Sequence, residues 1–263
     1  PKPQNPNPKL NNLFAIKINK YILQPLIKMK KVLNSKFSYQ ICSGAQSKKG
    51  HMFYIPAHFH QVLPVQFFEK FNQKLQLETV MMDHEGSMLD RKDKELYEDY
   101  SEFLGGFEGN KYIVGEGIGA LYAMRICQLN KDMFKGAIFV NPLFGFETNY
   151  DVGPFKKAKL FLSSKDKIYD GLEDIKAPGD MKYSVTNAQF LKILNFQSEL
   201  YDRTSKFTTP SLFLLGEQDK VTSKETVTQL FNQLKNSTHR KRLSIEFGDH
   251  FILHHQNKGE LHK

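Results

Sequence analysis

Residues 111–142 read KYIVGEGIGALYAMRICQLNKDMFKGAIFVNP. Strand-forming residues at 112–114 run into a glycine cluster at 115–119, after which Ile118, Leu121, Ala123, Met124, Ile126 and Cys127 recur at helical spacing. A short apolar run at 137–140 then has the character of a buried strand. The spacing predicts a strand, a sharp turn, a helix and a parallel strand, the building unit of an α/β fold.

Two kinds of turn satisfy this pattern. In the nucleophile elbow G-x-S-x-G, small residues two before and two after the centre let strand and helix approach closely. The frame here is Gly115-Glu116-Gly117-Ile118-Gly119, with the small flanks present and glycine at the centre. Gly115, Gly117 and Ala120 also satisfy G-x-G-x-x-[GA], which cradles a dinucleotide pyrophosphate. That second reading needs an acidic residue at the end of the next strand, to hold a ribose hydroxyl, and a glycine turn in the first βα unit. The next strand ends in Asn141 and two or three strands precede the turn, so the elbow is the better reading.

Composition narrows the class. The chain has 263 residues, 40% of them apolar and 25% charged, enough for one α/β domain with an insertion. No run approaches the ~18 apolar residues of a membrane span. Cys42 and Cys127 lie in apolar surroundings and read as buried free thiols, not as a disulfide framework. The net charge of +9 is unevenly placed: residues 1–68 hold ten lysines and no Asp, Glu or Arg, so residues 69–263 sum to −1. A near-neutral body excludes a nucleic-acid groove across the domain.

Taken in order, residues 1–9 are a proline-rich extended arm. Residues 10–33 are amphipathic, with Phe14, Ile18, Ile22, Leu26, Met29 and Leu33 set against Lys17, Lys20, Lys28, Lys30 and Lys31, and predict a helix kinked at Pro25. Strands are expected at 37–42, 51–55, 78–82, 210–215 and 243–247, and helices at 65–75, 92–104 and 224–234. Between 143 and 206 the pattern is irregular, NAQFLKILNFQ being its best helical stretch.

With DHEGS at 83–87 after a strand, the glycine elbow, G-x-x-D-x-[IV] at 216–221 and Gly248-Asp249-His250 after the last strand, the chain resembles the monoacylglycerol lipase and lysophospholipase branch (serine aminopeptidase type) of the α/β-hydrolases. The resemblance spans roughly residues 38–257 and implies an α/β-hydrolase fold, a mostly parallel sheet flanked by helices. It divides the chain into a basic arm and amphipathic helix (1–36), a core (37–142 and 207–263) and a helical lid over a substrate tunnel (143–206). It also implies that Gly117 stands in the nucleophile position, Asp219 in that of the acid and His250 in that of the histidine, with His254 and His255 as neighbouring alternatives. Glu116 would point away from the pocket. The oxyanion-like positions are His58, Phe59 and Ile118, although Ala57-His58-Phe59 lacks the glycine that the family has there.

Acyl transfer needs a nucleophile, a base and an orienting acid, and glycine offers no side chain. The expectation is therefore a catalytically silent hydrolase-like protein with vestigial Gly117, Asp219 and His250, needing no cofactor. The histidines at 58, 60, 254 and 255 have no carboxylate or cysteine at ligand spacing and predict no metal site. The acid-free leader 1–36 suggests attachment to protein subunits of a larger complex, with an anionic membrane surface or a retained targeting segment as alternatives. A mitochondrial inner-membrane assembly of the respiratory or ATP synthase kind is the expected setting, and cytoplasm the alternative. Two further readings stay open: an acyl-lipid-binding protein using the lid tunnel, and an esterase with an unusual nucleophile.

Overall fold

In the computed structural model the described residues are 28–29, 37–43, 49–57, 65–84, 92–147, 153, 159–163, 185–237 and 239–254. In chain order they form β1 (Lys28–Met29), β2 (Phe37–Ser43), β3 (Gly50–Ile55), α1 (Val65–Leu75), β4 (Leu77–His84), α2 (Asp93–Gly105), β5 (Asn110–Glu116), α3 (Ile118–Leu129), β6 (Gly136–Val140), α4 (Asn187–Asp202), β7 (Ser211–Gly216), α5 (Lys224–Gln233) and β8 (Arg240–Ile245). The strands make one sheet in the order β1-β2-β4-β3-β5-β6-β7-β8. From β4 to β8 every pairing is parallel; β2 joins β4, and β1 joins β2, antiparallel.

Alternation along each strand splits the apolar side chains between two layers. Phe53, Ile113, Phe139 and Phe213 face one side, where they pack with Leu121, Phe190 and Val227 from the helices. Met52, Tyr54, Met81, Val114 and Val140 face the other, under Phe68 of α1 and Ile252 of a short 3-10 turn at Ile252–His254. Helix α3 is buried along its length except at Leu129, which is why its sequence is apolar all round and not amphipathic.

Two expectations are corrected, and the alternative already set aside is ruled out. Lys28 and Met29 pair with Ile41 and Gln40 as a strand, so the helix expected over 10–33 does not run through them. The edge of β2 offers backbone partners to these two residues; residues 1–27 and 30–36 lie outside the described residues. The last strand is Arg240–Ile245, not 243–247, because the ladder with β7 starts at Ser211↔Arg240 and ends at Gly216↔Ile245. A dinucleotide-binding fold is excluded by the sheet itself: the glycine turn follows the fifth strand in the sequence.

The interval expected as a lid is partly core. Helix α4 starts from a capping box, Thr186 accepting from the Gln189 amide while the Gln189 side chain accepts from that of Thr186. It buries Phe190, Ile193, Phe196 and Leu200 in the main core, the Phe196 ring lying 5.1 Å from Tyr122 of α3. Residues 148–152, 154–158 and 164–184, where the rest of the lid would fall, are outside the described residues.

Candidate functional site

Strand β5 leaves the sheet into Gly117, which has φ +54° and ψ −119° and immediately precedes α3. Side chains with a Cβ occupy this region at a cost of about 1–3 kcal/mol, whereas glycine occupies it freely. The turn is clamped by backbone: the Gly117 N–H donates to Val140 O (2.9 Å), and Leu143 N–H donates to Gly117 O (3.1 Å). Its flanks are small for a reason the packing shows. A Cβ on Gly119 would lie 2.3 Å from Ile55 O, and one on Gly115 would lie 2.5 Å from the Cα of Ala120.

The loop after β8 brings His250 to this turn. His250 and Asp219 are both buried, and His250 Nδ1 lies 3.0 Å from Asp219 Oδ2. The other Asp219 oxygen accepts the N–H groups of Val221 (2.8 Å) and Thr222 (3.1 Å). Burial by itself would raise the Asp219 carboxyl, but the neighbouring His250, its hydrogen bond and the two amides outweigh it, leaving the group below its ordinary value. An ionised acceptor at Nδ1 selects the tautomer protonated there, so Nε2 becomes the basic nitrogen. A Cβ built on Gly117 would sit 3.4 Å from that Nε2 and 3.2 Å from the Cβ of Ala57.

Asn141 holds the loop in place. It adopts φ +40° at the end of β6, accepts the Gly216 N–H (2.7 Å) and donates to Asp249 O (2.5 Å). One side chain thereby ties together the ends of β6 and β7 and the residue before His250. On the sequence Asn141 counted only as a missing ribose-binding acid. The Asn-Pro pair at a strand end, a turn signal, could have marked it.

Behind the turn lies a second acid–histidine pair that sequence reasoning missed. Glu116 is fully buried; its Oε2 accepts the Tyr54 hydroxyl (2.5 Å) and lies 2.9 Å from His254 Nε2. Burial, then the Glu116 charge, push the Tyr54 hydroxyl well above its ordinary value. His254 thus belongs to Glu116, and His250 is the histidine that meets Asp219. Glu116 points away from the His250 side because alternate strand residues face opposite sides.

Gly117, Asp219, His250 and Ile118 therefore converge, Ile118 being the first residue of α3 and buried. His58 and Phe59 lie outside the described residues, as do His60 and His255. Chemically, an Asp-oriented imidazole can accept a proton at Nε2, and residue 117 offers no side-chain atom to give one.

A family model described as serine aminopeptidase, S33, matches residues 65–257. No curated protein matches by sequence. Among solved structures, a soluble variant of monoglyceride lipase from Saccharomyces cerevisiae is similar with a TM-score of 0.66 at 13% identity, over 85% of this chain and 88% of that one. Monoacylglycerol lipase from Paleococcus ferrophilus gives 0.64 at 14%, over 83% and 91%. Mouse alpha/beta hydrolase domain-containing protein 10 gives 0.62 at 14%, over 90% and 94%. With the sheet order, the glycine elbow and the family match in agreement, the chain belongs to the serine aminopeptidase S33 family of α/β-hydrolases.

Proposed function

We propose that this protein is a catalytically silent α/β-hydrolase that acts by binding and not by turnover. The observation that carries the reading is Gly117: the elbow backbone and the Asp219–His250 pair are in place, and the residue whose Cβ would face His250 Nε2 is glycine. Removing the nucleophile from a Ser-His-Asp triad costs on the order of a millionfold in turnover. Ala57 supports the same conclusion. Its methyl group lies 3.2 Å from where a Cβ at 117 would be, a tight contact, so a side chain at 117 needs Ala57 to give by a few tenths of an ångström. In place of catalysis the site gains a turn relieved of strain. The partner in this reading is a larger assembly, reached through the lysine-rich residues 1–36, with the chain as an accessory subunit.

A fluorophosphonate probe tests the chemistry. The wild-type chain stays unlabelled, and the Gly117→Ser/Ala57→Gly double variant, which restores both the hydroxyl and its room, becomes labelled in a His250-dependent way. Covalent labelling of the wild type at any residue of this site sinks the reading. Native mass spectrometry tests the binding half: a complex lost on deleting residues 1–36 supports the subunit, whereas a monomer carrying an acyl lipid replaces it with a lipid carrier.

A further inference from the structure

The outer strand β8 is unusual for its exposure. It ends the sheet, and among the described residues no strand pairs beyond it. Lys241, Arg242, Leu243 and Ser244 are all exposed, and Phe247 in the following turn is 55% exposed. Residues 235–247, KNSTHRKRLSIEF, contain four Lys or Arg and one acid, Glu246, which follows the strand beside Phe247. The charge is held in place: Arg240 lies 5.3 Å over the Phe231 ring and donates to Leu234 O, and Arg242 donates to Thr228 Oγ1 (2.5 Å). Both arginines are thus fixed on the α5 side, while alternation puts Lys241 with the apolar Leu243, 39% exposed, on the other.

From this surface we infer that the outer edge of β8, with which no other described strand pairs, is a docking site for an extended acidic segment of a partner protein, added as a further strand. An open edge presents unpaired N–H and C=O groups that only another polypeptide chain can ladder with. A second copy is disfavoured, because antiparallel self-pairing of β8 would put six Lys or Arg and no acid on one short ladder, with Arg242 diagonal to its own copy, and like charges there repel. The same row attracts a strand of opposite sign and speeds its encounter. Leu243 and Phe247 supply the apolar contact that such a strand would cover. An anionic membrane would meet the charge and leave the backbone edge unsatisfied. This site is separate from residues 1–36 and names a partner chemistry for the binding reading above, on which it rests.

The test uses the full chain and a capped seven-residue peptide alternating glutamate and valine, read by hydrogen exchange at the backbone amides of residues 240–245. Exchange there is expected to slow by about tenfold or more at saturation, since newly laddered amides are protected. The lysine–valine counterpart and phosphatidylserine vesicles leave it unchanged, and Lys241→Glu/Leu243→Ser removes the effect. Unaltered exchange in that variant without peptide shows its strand is intact; if it is altered, Lys241→Gln takes its place. No slowing by the acidic peptide, equal slowing by the basic one, or slowing by vesicles alone overturns the proposal. The two ideas fail separately: fluorophosphonate labelling of the wild type defeats catalytic silence and leaves β8 protection standing, and absent protection removes only the docking site.

Discussion

Two buried acid–histidine pairs flank one turn, and they differ in what surrounds them. Asp219 and His250 lie on the side that a residue 117 side chain would face, with two backbone amides supporting the acid. Glu116 and His254 lie behind it, with the Tyr54 hydroxyl as third member and a core of Val114, Val140 and Ile252 around them. The histidines are four residues apart and the carboxylates come from different strand ends. The same pair of side chains thus orients a base in one place and in the other fastens the C-terminal turn to the central strands. What separates the roles is access to position 117, not the chemistry of the pair.

The sharpest way to break this comparison is to remove Glu116. Glu116→Ala leaves His254 and Tyr54 buried around a void, and breaking a buried pair from one side costs about 3–5 kcal/mol. Guanidinium unfolding should show that loss, whereas an equal or smaller loss than from Asp219→Ala would reverse the assignment. Asp219→Ala strands His250 and two amides, and should cost about 1.5–3 kcal/mol, the range for hydrogen bonds to charged groups. Next comes Gly117→Ala. With φ at +54° and Ala57 at 3.2 Å, it is expected to cost about 1–3 kcal/mol, part of which Ala57→Gly should return in a double-mutant cycle.

Acid sharpens the contrast further. The folded-state pKa of Asp219 is lowered, so its contribution is fully present above the unfolded value of about 3.9 and is lost as pH falls through the depressed folded value. The stability gap between wild type and Asp219→Asn should be flat near neutrality and should close below about pH 4. A gap that widens on acidification would mean that the carboxyl is not stabilised as drawn. The smallest effect belongs to the surface: Lys241→Glu alone should move stability by no more than about 0.5 kcal/mol.

Much of the frame is legible in the sequence. The continuous apolar run at 52–55 and the 3.6-residue period at 65–75 gave β3 and α1, the latter residue for residue, because apolar side chains must be buried whatever the core is. The glycine cluster marked the elbow, since only small residues permit that approach. The edges were less legible. β1 is only two residues long, and β8 reads RKRLSI because an edge strand needs no apolar face.

Sequence alone determined the order of the motifs, the α/β class, and that position 117 carries no side chain, because these are properties of residue type and spacing. Only the tertiary structure decided which histidine meets which acid. The resemblance put His250 first and left His254 and His255 as alternatives, and 31 and 138 residues of chain separate His250 from Asp219 and His254 from Glu116. Pairings at that range are set by how the strand ends are brought together, and no local pattern records them.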